Sequence, residues 1–277
     1  MTDKRARRWV SLPLTLVLAA AALSGCVAPR GAETAGTASG TSRDIVTASD
    51  ETDASKRARV RMELAAGYYG RGQWTTALDQ VKLALIADPN LAEAYNMRGL
   101  IYANLGDERL AEESFRYAIQ LDPRDADSMQ NLGYFMCQKR RYDEATAMFD
   151  RALAVPRYAN TARTWMTKGV CQAFAGQLAE AEASLVKAYS IDPANPSISV
   201  NLSELLFKRG DYERARFYIR RVNQVVTMQG PQTLWLAARI EQRLGNRTGA
   251  QEFGDQLRRR FPDSSEAGRY ERGQFNE

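Results

Sequence analysis

The chain has 277 residues, with 38 Lys and Arg against 33 Asp and Glu and no histidine at all. Without imidazole there is no Ser-His-Asp or Cys-His nucleophile and no histidine-ligated metal, so nothing points to an enzyme, a cofactor or a small-molecule substrate. Four cations, Lys4, Arg5, Arg7 and Arg8, set against Asp3, crowd into the first residues, which leaves about +2 on the rest and no electrostatic case for nucleic acid.

That basic start runs into an apolar stretch from Trp9 to Leu23 and then Leu23-Ser24-Gly25-Cys26. About 15 apolar residues are too few to span a bilayer, and small residues before a cysteine suit the lipoprotein signal peptidase. Residues 1–25 are therefore read as a signal peptide and Cys26 as the lipidated mature N-terminus, which anchors the protein by acyl chains such as palmitate. Val27, in place of an Asp that would retain the protein at the inner membrane, points to the periplasmic face of the outer membrane. Residues 26–54 hold Ala, Gly, Thr and Ser without apolar periodicity, a flexible linker with a typical reach of roughly 30 Å.

Beyond the linker the pattern Gly-x4-Ala-x3-large-x2-Ala-x4-Pro recurs, in Gly72-Ala77-Val81-Ala84-Pro89, Gly106-Ala111-Phe115-Ala118-Pro123 and Gly176-Ala181-Leu185-Ala188-Pro193. The period of about 34 residues and the paired small and large positions are those of the tetratricopeptide repeat. Six repeats fit, at about 58–91, 92–125, 126–159, 162–195, 196–229 and 231–264, the last two weaker, within a domain of residues 55–265. Residues 266–277 form a charged cap or tail. The fold expected is all-α, a right-handed superhelical solenoid of helix-turn-helix units, because each hairpin leaves an apolar face that only the next can cover.

Positions 2, 5, 9 and 12 of each first helix face the concave groove. Counted from the repeat starts, these positions place Met62, Tyr69, Asn96, Leu100 and Tyr134 on its N-terminal part as the candidate partner-binding residues. Met62, Tyr69, Leu100 and Tyr134 are expected to form an open apolar patch there. Met62, Ala66, Met97 and Asp127 stand where a carboxylate clamp would need Lys, Arg and Asn, so the groove lacks that clamp and capture of an acidic C-terminal tail is not expected. Cys137 and Cys171 fall on consecutive first helices. An oxidising periplasm favours a disulfide between them if the helices approach closely enough, and two buried thiols are the alternative.

Several segments together resemble a known family: the lipobox, Asn131-Leu-Gly-Tyr-Phe-Met-Cys137, Arg140-Arg-Tyr-Asp-Glu-Ala145, Trp165-Met-Thr-Lys-Gly-Val-Cys171, Gly210-Asp-Tyr-Glu-Arg-Ala-Arg-Phe-Tyr218 and Leu257-Arg-Arg-Arg-Phe-Pro262. The chain is similar to the PilF/PilW type IV pilus biogenesis lipoproteins. The resemblance implies a pilotin, which helps deliver the pilus secretin to the outer membrane and promotes its multimerisation, with a functional surface in the first repeats. A different envelope lipoprotein of the same repeat, an adaptor in β-barrel assembly or in regulating peptidoglycan hydrolases, is the competing reading. The six-repeat count and the cysteine pair argue against the five-repeat assembly factor.

Overall fold

The computed structural model describes residues 52–275. The signal peptide, Cys26 and most of the linker lie outside the described residues. Those described form thirteen α-helices and one short 3-10 turn, with no strand among them. Six hairpins follow in order: α1 (Asp53–Gly70) with α2 (Trp74–Ala87), α3 (Ala92–Leu105) with α4 (Glu108–Leu121), and α5 (Ala126–Gln138) with α6 (Tyr142–Leu153). Then come α7 (Thr161–Phe174) with α8 (Leu178–Ile191), α9 (Pro196–Lys208) with α10 (Tyr212–Asn223), and α11 (Pro231–Arg243) with α12 (Arg247–Arg260). A closing helix, α13 (Ser265–Glu271), follows, beginning one residue ahead of the span read as a cap or tail.

Local chemistry sets the helix ends. The side chains of Asp107, Asp125, Asn195 and Asn246 accept from backbone N–H groups of the first turns of α4, α5, α9 and α12. Thr52 does the same for α1 through the Ser55 N–H at 3.1 Å, so α1 starts at Asp53, inside the span read as linker and ahead of the repeat start at Ala58. Between the two helices of a hairpin the chain turns through a left-handed residue, glycine at Gly106 (φ 83°) and Gly210 (φ 82°). The third hairpin uses Arg140 there (φ 60°), a backbone conformation that costs a Cβ-bearing residue roughly 1–2 kcal/mol.

Within each of the first five hairpins a small residue on the first helix meets a larger one sixteen positions later on the second. A Cβ on Gly99 would come 2.6 Å from Phe115 Cδ1, and Gly133 with Phe149 and Gly169 with Leu185 repeat the arrangement. The absent Cβ lets the axes approach and the large side chain is buried entirely, worth roughly 1.5–3 kcal/mol each. In the last hairpin both positions are small, Ala238 and Gly254, and the ring of Tyr270, sixteen residues beyond Gly254 in α13, covers the glycine. The short helix thus packs against both α11 and α12 as the first helix of a seventh repeat would, closing the core of Leu234, Trp235, Leu257 and Ala267.

Among the described residues, packing runs within each hairpin and from one hairpin to the next. Successive first helices (α1, α3, α5, α7, α9, α11) touch one another, whereas successive second helices make no comparable contact, so the first helices line the inner, concave side of the stack. Among the described residues no helix is long and apolar enough to cross a membrane.

Candidate binding face on the first helices

At the N-terminal end of this face α1, α3 and α5 enclose a groove of about 250 Å3 whose walls include Tyr69, Leu100, Ala103, Asn104 and Tyr134. Its floor is formed by the buried rings of Phe115 and Phe135, 6.0 Å apart. Tyr69 stands edge-on to Trp74 at 4.9 Å, and its hydroxyl accepts from Asn104 Nδ2 at 2.9 Å. Asn104 also donates to the Leu100 carbonyl at 2.8 Å, so one amide ties the Tyr69 tip to α3. One repeat further on, Asn131 Nδ2 donates to Asn96 Oδ1 at 3.1 Å and links α5 to α3. Amides join the helices, and rings and aliphatic groups are left facing the groove. Tyr134 is 48% exposed, and Tyr69 and Leu100 are half-buried.

Four of the five candidate partner residues thus gather here: Tyr69, Leu100 and Tyr134 on the walls and Asn96 in the amide ladder behind them. Met62 is a correction. It is only 4% exposed, packed in the core of the first hairpin with Val81, Ala94 and Ile101, because α3 of the second hairpin lies over it. It supports the groove from beneath and offers no surface to a partner.

Cys137, one turn beyond Tyr134 on α5, is joined to Cys171 on α7 by a disulfide with Cα atoms 5.8 Å apart. Both cysteines are buried in the core that also holds Phe115 and Phe135. The bridge pins α7 to the helix carrying Tyr134, and so fixes one edge of the groove. Asp127, at the start of α5, accepts from Tyr158 Oη and from Asn160 Nδ2, both at 3.0 Å, which holds the loop between α6 and α7 against the face.

At the other end α9, α11 and α13 meet around a cavity of about 320 Å3 with Phe207, Lys208, Trp235, Arg239 and Arg269 on its walls. The Arg239 guanidinium lies 4.5 Å from the Phe207 ring centre and 5.9 Å from that of Trp235. Burial, and after it the neighbouring Arg243 and Arg269, hold Arg239 below the ordinary arginine range. Glu204 on the same wall reaches solvent, but crowding by the pocket desolvates its carboxyl and pushes it up. The position count that selects Tyr69 and Leu100 also selects Gln232, Trp235 and Arg239 when carried into the sixth repeat. That count marks the α11 wall of this end, whereas the residues that α13 brings to it lie outside the repeat count. Between the two ends Phe174 on α7 is 69% exposed, beside Val170 and Ala173.

Among the described residues no cluster of Cys, Asp and Glu is arranged to hold a metal ion. The face offers contact area and hydrogen bonds, the chemistry of a protein-binding scaffold.

Family models described as tetratricopeptide repeat match residues 92–125, 114–147, 137–196 and 175–226. The chain is 28% identical over 205 residues to the type IV pilus assembly protein PilF of Pseudomonas aeruginosa, an alignment spanning 74% of this chain and 81% of that one. It superposes on the crystal structure of PilW, a widely conserved type IV pilus biogenesis factor, with a TM-score of 0.71 at 31% identity, over 77% of this chain and 97% of PilW. The solved structure of P. aeruginosa PilF gives a TM-score of 0.70 at 25% identity, over 80% of this chain and all of that one (100%). The chain belongs to the PilF/PilW family of tetratricopeptide-repeat proteins of type IV pilus biogenesis.

Proposed function

We propose that this protein is an outer-membrane lipoprotein, anchored through acyl chains on Cys26, that binds the type IV pilus secretin and promotes its outer-membrane localisation and multimerisation. The observation that carries the reading is the groove of α1, α3 and α5, where half-exposed Tyr69, Leu100 and Tyr134 converge over a floor of two phenylalanine rings. Their polar neighbours Asn96, Asn104 and Asn131 are engaged with one another or with the helices. What remains available is aromatic and aliphatic surface with the Gln138 amide beside it, and such aromatic anchors carry interface energy at about 2 kcal/mol or more for a hot spot. An extended or helical segment presenting alternate apolar side chains is the partner chemistry that fits.

Tyr69→Ala combined with Leu100→Ala is expected to cut secretin multimers sharply, while Glu180→Ala with Lys187→Ala, both exposed on α8, leaves them at wild-type level. Circular dichroism on both double variants separates lost binding from a frayed first repeat. Cys26→Ala is expected to abolish palmitate incorporation and remove the protein from outer-membrane fractions with its helicity unchanged. A folded, correctly located groove variant that still supports normal secretin rings and pili would place the partner elsewhere on the solenoid.

A further inference from the structure

We propose that the pocket between α9, α11 and α13 is a second docking site, one that takes an acidic segment of a protein partner through an Asp or Glu side chain paired with Arg239. The first ground is what Arg239 lacks. Arg141, Arg209, Arg214 and Arg220 each pair with a carboxylate. Arg239 pairs with none among the described residues, and its hydrogen bond is a long one, from Nε to the Phe275 carbonyl at 3.4 Å. A half-buried guanidinium has already lost much of its hydration, so a carboxylate reaching it gains a charge-assisted, two-pronged hydrogen bond with little further desolvation of the arginine. Flanking by Phe207 and Trp235 holds the guanidinium in place and leaves N–H groups at its edge for an incoming acceptor.

Charge complementarity is the second ground. Lys208, Arg239 and Arg269 line the cavity against Glu204 and Glu266, and Arg243 adds its charge from behind. Three cations thus face two carboxylates in the lining, which leaves a surplus of positive charge where Arg239 sits. Next to it, across Glu204 and Lys208, lies the apolar surface of Phe174, Val170 and Ala173, which receives a neighbouring apolar side chain of the same segment. An Asp or Glu carries its charge on a methylene arm, so its oxygens reach Arg239 while the peptide groups stay at the solvated rim near Gln232. A chain terminus would have to bring its last peptide group down between Phe207 and Trp235, at the cost of desolvating it.

This site does not depend on the secretin reading, and its test is separate from that one. Full-length protein in detergent is titrated into fluorescently labelled, end-blocked heptapeptides carrying a central Glu flanked by Leu, Phe and Ser in varied order. Their Gln counterparts, and Gln peptides with a free C-terminal carboxylate, are run beside them, with binding read by anisotropy. The expected result is a preference of about tenfold or more for Glu over Gln. Arg239→Gln should abolish that preference, Arg239→Lys restore it only in part, and Tyr69→Ala with Leu100→Ala leave it intact. Should Arg239→Gln unfold by circular dichroism, Lys208→Gln with Arg269→Gln serves in its place, with a several-fold loss for the Glu peptides and a flatter salt dependence. The proposal is overturned if no Glu peptide binds, if Glu and Gln peptides bind alike, if the preference follows the free terminus, or if it survives these substitutions.

Discussion

The two ends of the concave face are built from the same positions of the same repeat and differ in what those positions carry. At the N-terminal end Leu100 and Tyr134 occupy the ninth position, with neutral amides between the helices and no cation on the groove walls. At the C-terminal end the ninth positions are Glu204 and Arg239, and the wall is closed by an extra helix whose Arg269 turns inward. The backbone frame is common to both. Side chains alone make one end an uncharged groove rich in aromatic rings and the other a cationic pocket, so a solenoid face can hold two chemically distinct sites without any change of fold.

The frames are also secured differently, and that difference is where substitution should bite hardest. Trp235→Ala removes a 4%-exposed ring that contacts Phe275 and underlies α13, and it is expected to cost about 3–5 kcal/mol. Hydrogen exchange should show the loss confined to α11, α12 and α13, with the protection of α1 to α5 retained. Uniform loss of protection along the chain would mean that the two ends are coupled more tightly than nearest-neighbour stacking allows.

Next in size is the bridge. Replacing both Cys137 and Cys171 by Ser opens a closure across a sequence separation of 34 residues, worth roughly 3–4 kcal/mol in the chain-entropy view. Thermal unfolding should register a lower Tm, and exchange should rise first in α5 and α7, the edge that carries Tyr134. Peptide binding at Arg239 should be unaffected, which separates the two ends from the opposite direction.

How much of this was legible in the sequence follows from which interactions are local. The hairpins are, because the small residue and its large partner lie sixteen positions apart and recur, as in Gly99 with Phe115. Tyr69, Leu100 and Tyr134 were placed on one face by counting turns, which needs only the 3.6-residue period. Met62 was misplaced because its burial depends on α3 of the following hairpin, contact that a position count within one repeat does not contain. The start of α1 was signalled by Thr52 capping Ser55, a local cue overshadowed by the repeat register beginning at Ala58. The Arg239 pocket was hidden for a stronger reason: Phe207 and Arg269 reach it from elements on either side of α11, and α13 follows no repeat signature.

Smaller effects distinguish the halves by the sign of their pH response. Glu112 is held below the usual glutamate range by its hydrogen bond from Arg141, whereas Glu204 is raised by desolvation. A lowered carboxylate contributes stability that is present above its unfolded value and lost as pH falls through the folded one, so Glu112→Gln should destabilise at neutral pH and become neutral in acid. For the raised carboxylate ionisation in the folded state is unfavourable, so Glu204→Gln should stabilise at neutral pH, with the gain vanishing in acid below the unfolded value. Paired denaturant titrations at pH 7 and in acid check both; equal signs for the two substitutions would contradict the electrostatic contrast. Arg140→Gly, in the turn between α5 and α6 where arginine stands at the position glycine holds in the other hairpins, should raise stability by about 1 kcal/mol and leave both binding surfaces unaltered.

That the N-terminal groove is the secretin-binding surface is tested most directly by photocrosslinking in cells that assemble pili. A benzophenone side chain placed at Tyr134 in the groove, at Phe174 mid-face and at Lys187 on α8 samples three surfaces of one folded protein. The expected result is an adduct at position 134 whose partner peptides, identified by mass spectrometry, come from the type IV pilus secretin, with none from position 187. Secretin adducts at 187 and none at 134, in a protein that still supports pili, would contradict it.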